Sequence, residues 1–223
     1  QLEVKYMTAK EEDILTSTNL IANGTVMDRL LESIVVHTGV NPIELTTGDV
    51  NAVLIAARVL AYGKDYEVTI TCEECEESID TVVDLSQLEG PDHLIEVDEN
   101  GYHHFTTDSG LDIVIRSMTR GDERDAEKNE KILQTKYNKK VSGIITSRLK
   151  LIIVSINGET DKNMLANMID NLVVKDSQKI RREFSNINPT IDMTMEVTCG
   201  ECDHKMKGGI PIGVDFFWPE IEI

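Results

Sequence analysis

Two cysteine pairs of identical spacing stand out in this chain as residues whose type and placement point to chemistry. They are Cys72 and Cys75 in TCEECEES, and Cys199 and Cys202 in VTCGECDHK. A C-x-x-C turn can bind a metal, shuttle electrons or close a disulfide. Both pairs follow an alternating, strand-like stretch (YEVTIT and IDMTMEVT) and precede a second one, so each is expected at the tip of a hairpin. Zinc takes four ligands in a tetrahedron, and a C-x-x-C turn offers two thiolates from one side with backbone N–H groups directed at the sulfurs. The two turns use all four cysteines. The expectation is one structural zinc per chain, held by Cys72, Cys75, Cys199 and Cys202 in a zinc-ribbon-like pair of hairpins. More than a hundred residues separate the pairs, so the intervening chain reads as an insertion between two knuckles.

A redox dithiol needs its C-x-x-C at the start of a helix, where the helix dipole lowers a thiol pKa. Neither pair is so placed, and Glu73, Glu74, Glu76 and Glu77 disfavour a thiolate nucleophile at the first. Four reduced, metal-free thiols are the remaining alternative. His204 is a possible substitute ligand, and Lys205 and Lys207 can offset part of the charge of a four-thiolate site. A closed four-cysteine shell leaves no open position for substrate or activated water, so the metal's role is structural.

No other constellation supports catalysis. His103 and His104 are adjacent in a strand and point to opposite faces. There is no G-x-S-x-G, P-loop, H-E-x-x-H or G-x-G-x-x-G, and 40 acidic residues single out no pair. A non-enzymatic protein is expected. Arg58, inside an apolar run, needs a partner or a route to solvent and reads as structural. DFFWP at 215–219 holds three of the ten aromatic residues, Phe216, Phe217 and Trp218. In extended chain these would alternate between a buried side and an exposed face able to anchor a partner protein.

A net charge of −18 repels phosphate backbones, which argues against DNA and RNA as partners. No apolar run approaches the roughly 18 residues of a membrane span. Four cysteines and no signal-like opening suggest a soluble protein of a reducing cytoplasm. The chain opens on Gln1, which reads as a trimmed, processed or partly seen product.

The elements that position the cysteines follow from periodicity. AKEEDILTSTNLIANG, TVMDRLLESIVVHTG and TTGDVNAVLIAARVLAYG read as helices, the third apolar on nearly all sides and therefore central. After the first cysteine hairpin, HLIEVDENGYHHFTTDSGLDIVIRSM reads as three strands joined by turns at Gly101 and Gly110. T-R-G-D at Thr119 has capping-box spacing, with Asp122 in the acidic position. A polar helix, the apolar SGIITSRLKLIIVSING and two shorter helices follow. The fold class expected is α+β, a single domain over 1–223. It divides into an N-terminal helical part (8–63), a β and zinc-ribbon-like part (64–118 plus 190–219) and a helical insertion (119–188).

MTAKEEDIL, GDVNAVLIAARVLAYGKDYEVTITCEEC, VTCGECDHK and DFFWP together resemble the baseplate hub and hub-assembly proteins of T-even-type contractile-tailed bacteriophages. The resemblance runs from Met7 to Pro219. It implies a non-catalytic structural subunit of the hub or an assembly chaperone, bound to other baseplate proteins in a hetero-oligomer. The implied location is the host cytoplasm during assembly and the virion tail. The resemblance is silent on metal, which rests on cysteine spacing alone. A zinc-ribbon adaptor of a transcription or processing complex, and then a thiol oxidoreductase, are the alternative readings.

Overall fold

The computed structural model describes residues 2–88, 90, 95–137, 143–188, 190–210 and 212–217. Its helices are α1 (Ala9–Leu15), α2 (Thr18–Asn23), α3 (Val26–Ile34), α4 (Thr47–Tyr62), α5 (Arg120–Tyr137), α6 (Ile144–Ile152), α7 (Lys162–Asp170) and α8 (Val174–Ile187). Its strands are β1 (Asp65–Thr71), β2 (Ser78–Asp84), β3 (Tyr102–Thr106), β4 (Asp112–Arg116), β5 (Ile153–Ile156), β6 (Thr194–Thr198) and β7 (Lys205–Gly209). They pair as β1–β2, β3–β4–β5 and β6–β7, all antiparallel. The class is α+β, and the chain divides into two compact units. One comprises Gln1–Pro42, Asp49–Pro91 and Thr190–Ile223; the other comprises Ile43–Gly48 and Asp92–Pro189.

In the first unit the stretch expected as one N-terminal helix is broken into α1 and α2 at Thr16 and Ser17. The Thr16 hydroxyl donates to the Glu12 carbonyl at 2.9 Å, and short polar side chains of this kind compete with helical hydrogen bonding. Gly24 ends α2 in the left-handed conformation, φ 69°, as Asn-Gly predicts. Sequence reading missed the capping box of α1. Its Glu11 is fully buried and accepts from the Thr8 N–H (2.8 Å), the Thr8 hydroxyl (2.7 Å), the Ser33 hydroxyl (2.6 Å) and Lys5 Nζ (2.8 Å). Burial raises the pKa of this carboxyl, but the four hydrogen bonds outweigh it and hold Glu11 well below the usual carboxylate range.

Helix α4 buries Val50, Val53, Leu54, Ile55, Ala57 and Arg58, and exposes Ala52, Ala56 and Leu60 four residues apart. It is therefore not enclosed on all sides, as its composition suggests. Arg58 finds the partner it needs. Nε donates to the Phe216 carbonyl at 2.8 Å, and the guanidinium lies over the rings of Tyr62 and Tyr66 at 5.1 and 5.6 Å.

The second unit is built on β3–β4–β5. The expected first strand of this region is absent from 95–98, and residues 93–94 lie outside the described residues. The third strand of the sheet is instead β5, which pairs with β4 and comes from the apolar stretch 142–158 that the sequence pattern assigns to helix. Helix α6 gives way there to Ile-Val-Ser-Ile, whose β-branched residues favour extended chain. Asn157 and Gly158, both at positive φ, then turn the chain back. Ile113, Ile115, Ile152, Ile153, Ile156, Leu149, Leu165, Ile169 and Ile180 form one continuous core between this sheet and its helices. The β3–β4 hairpin packs with α6, α7 and α8. The β4 face carrying Ile113 and Ile115 needs that helical cover. The capping box at Thr119 and Asp122 is present, with Thr119 N–H to Asp122 at 2.9 Å, and Arg116 grips the same carboxylate with two bonds.

Candidate metal centre

The two cysteine turns are built alike. In the first, the Cys72 N–H donates to the Glu77 carbonyl (2.8 Å) and the Glu76 N–H to the Cys72 carbonyl (3.0 Å). In the second, the Cys199 N–H donates to the His204 carbonyl (2.9 Å) and the Asp203 N–H to the Cys199 carbonyl (3.1 Å). The offsets along the chain are the same in both. Glu76 and Asp203 occupy equivalent places directly after the second cysteine, and both adopt positive φ, 60° and 56°. Glycine is the residue that takes such a conformation without steric cost.

The hairpins that carry the turns meet through few residues. Cys72, Val197, Cys199 and Met206 are buried together, flanked by Ile70, Ile79 and Met195. The two hairpins approach closely at Gly208, where a Cβ would stand 2.6 Å from the Ile70 Cδ1. A side chain at this strand position would require the end of the Ile70 side chain to move aside.

The packing brings all four expected ligands together. Their Sγ atoms lie within 4.8 Å of one another. Across the two turns, Cys72 is 3.7 Å from Cys202 and Cys75 is 3.6 Å from Cys199. A tetrahedron with Zn–S bonds of about 2.3 Å has edges of about 3.8 Å, so these separations suit a four-thiolate zinc shell. They are far beyond the roughly 2.05 Å of a disulfide, and all four thiols are free. The first cysteine of each pair is buried and the second exposed. His204 contributes its backbone carbonyl to the second turn and is not among the clustered ligands. Glu73, Glu74, Glu76 and Glu77 are exposed, where water screens them from a negatively charged centre.

The backbone prepares at least one thiolate. N–H groups of Cys75 and then Glu74 are directed at Cys72 and, with the neighbouring thiols, bring its pKa down to about 6. At Cys202 the His204 N–H pulls the same way, but the adjoining Cys75, Cys199 and Cys72 reverse it, and the thiol is pushed up to about 12. At Cys75 the Glu77 N–H is likewise outweighed, and that pKa is raised. Four thiols this close cannot all ionise unless a cation compensates them, which is the service a divalent metal performs.

The other singled-out residues are placed differently. Phe216 and Phe217 do not alternate along an extended segment. They lie in a 3-10 turn, Asp215–Phe217, and both are buried, 1% and 0% exposed. Their rings pack edge-on at 5.2 Å, and Phe216 packs on Tyr66 at 5.0 Å. The expectation of exposed aromatic anchors is thereby corrected for these two, because a single tight turn directs both rings inward. Trp218 lies outside the described residues. His103 and His104 do face opposite ways: one approaches Glu183 at 3.4 Å, the other Asp98 at 2.9 Å.

Among the described residues no helix is long and apolar enough to cross a membrane. No curated protein and no solved structure matches the chain. The family model described as T4 bacteriophage base plate protein matches residues 1–218, nearly the whole sequence. The chain carrying this pair of cysteine knuckles belongs to the T4 bacteriophage base plate protein family.

Proposed function

We propose that this protein is a non-catalytic component of the contractile-tail baseplate hub, either a structural subunit or a chaperone of hub assembly. In this reading a structural zinc on Cys72, Cys75, Cys199 and Cys202 ties together its two hairpins. Membership of the baseplate family, over residues 1–218, carries the assembly role. The convergence of four sulfurs at near-tetrahedral spacing supports the metal. Zinc supplies a cross-link here and no chemistry, because four thiolates fill its shell.

The partners are other baseplate proteins, in a hetero-oligomeric assembly formed in the host cytoplasm. A net charge of −18 favours basic surfaces on them, and such contacts weaken with salt. Quantitative mass spectrometry of purified virions beside assembly intermediates from infected cells tests the role. Stoichiometric presence in virions makes the protein a hub subunit, and presence in intermediates alone makes it a chaperone. Absence from both overturns the proposal.

A further inference from the structure

The second unit contains a cavity of about 320 Å³ that the cysteine site does not use. Its lining includes the buried Met118, Leu149 and Ile152 and the half-buried Phe184, which make part of it apolar. Arg148 and Arg181 stand on its wall. In a chain with 40 acidic and 22 basic residues, neither has an acidic partner among the described residues. Arg148 has no hydrogen-bond acceptor or ion pair among the described residues, and Arg181 gives one bond, from Nε to the Ser177 carbonyl at 3.3 Å. Glu123 also borders the cavity, but its carboxylate is engaged by the Thr47 hydroxyl at 2.9 Å and by Arg120 at 3.3 Å. The uncompensated charge in the cavity is therefore positive. On the same wall the buried side-chain oxygen of Asn188 has no donor, a group that natural proteins rarely leave unsatisfied.

We infer that this cavity is a docking site for an extended acidic and apolar segment of a partner protein. One apolar side chain of the segment sits against the apolar part of the lining, a carboxylate pairs with the Arg148 and Arg181 forks, and a backbone N–H satisfies Asn188. The volume is at the low end for a ligand pocket, suited to a side-chain anchor more than to a whole cofactor. Guanidinium groups are the cations best shaped for carboxylates. That the partner is a protein rests on the assembly role proposed above. The site lies in the unit without the cysteines, so it does not depend on metal.

The test is an NMR titration of the isotope-labelled full chain with three probes: the acidic peptide acetyl-EIELFE-amide, its basic counterpart acetyl-KIKLFK-amide, and dodecanoate. The acidic peptide is expected to shift amide resonances near Met118, Leu149 to Ile152 and Phe184 to Asn188, and the basic peptide is not. The double variant Arg148→Glu, Arg181→Glu should weaken acidic-peptide binding roughly tenfold or more with the spectrum otherwise intact, since both side chains are exposed. No shifts at these residues, equal binding of the basic peptide, or undiminished binding by the variant would overturn the inference. Tighter binding of dodecanoate than of peptide would overturn it too, by assigning the cavity to an amphiphile. None of these results bears on presence in virions, so failure here is distinct from failure of the assembly role.

Discussion

The β3–β4–β5 sheet and the pair of cysteine hairpins are both small antiparallel structures, yet they are stabilised in different ways. The sheet has three strands, with helices packed on β4 and β5 and an isoleucine-rich core of eleven buried residues. Each hairpin has two strands, and the cluster between them holds four buried residues, of which two are cysteines. An isolated two-stranded hairpin is marginal in water. The apolar cluster joining the two hairpins is small beside the core of the sheet, and β1 adds to it the packing of Tyr66 on Phe216. In the function proposed above, zinc on the four cysteines adds the link that this small cluster does not supply.

The largest expected effect separates the two regions outright. Removing metal with a chelator, or substituting Cys72→Ser or Cys199→Ser, should abolish hydrogen-exchange protection in β1, β2, β6 and β7 while β4 and β5 keep theirs. Loss of protection in both regions together would mean that they fold as one cooperative unit. The converse perturbation is Ile115→Ala or Ile156→Ala, both side chains being fully buried. Each should cost about 2–5 kcal/mol in denaturant unfolding, with metal content unchanged at one per chain.

Effects of intermediate size test how the helical part of the first unit is held. Glu11→Gln removes a buried carboxylate that accepts four hydrogen bonds, at a cost of about 1–3 kcal/mol at neutral pH. Because the folded Glu11 is held below its ordinary 4.5, its contribution is complete above that pH and is lost as pH falls through the folded value. The difference between wild type and variant should therefore shrink in acid, as thermal melts at several pH values would record. Arg58→Met should cost a similar amount by leaving the Phe216 carbonyl without its donor, and should loosen the 3-10 turn that buries both phenylalanines. The smallest effect is a gain. Glu76→Gly and Asp203→Gly relieve left-handed backbone in the two knuckles, by about 1 kcal/mol each, without altering zinc content.

The cysteine site was legible in sequence because its signal is local. Spacing, flanking alternation and an even count located the hairpins and put the pairs at their tips. The capping box at Thr119 and the turn at Gly24 were equally local. What escaped depends on partners distant in sequence. Strand β5 looks helical until β4 offers it a ladder, and sequence order hides which helices cover the β3–β4 hairpin. Phe216 and Phe217 show the same limit: alternation holds for extended chain, and one turn of 3-10 helix turns both rings inward. Arg148 and Arg181 carry no sequence signal, because what sets them apart is the lack of an acidic partner among the described residues, which only the folded chain reveals.

The most direct test of the metal-link account is native mass spectrometry of the purified chain, read beside hydrogen exchange of the same sample. The account predicts one zinc per chain and protected hairpins, with both lost together on chelation. A chain that carries no metal and still shows full protection in β1, β2, β6 and β7 would contradict it.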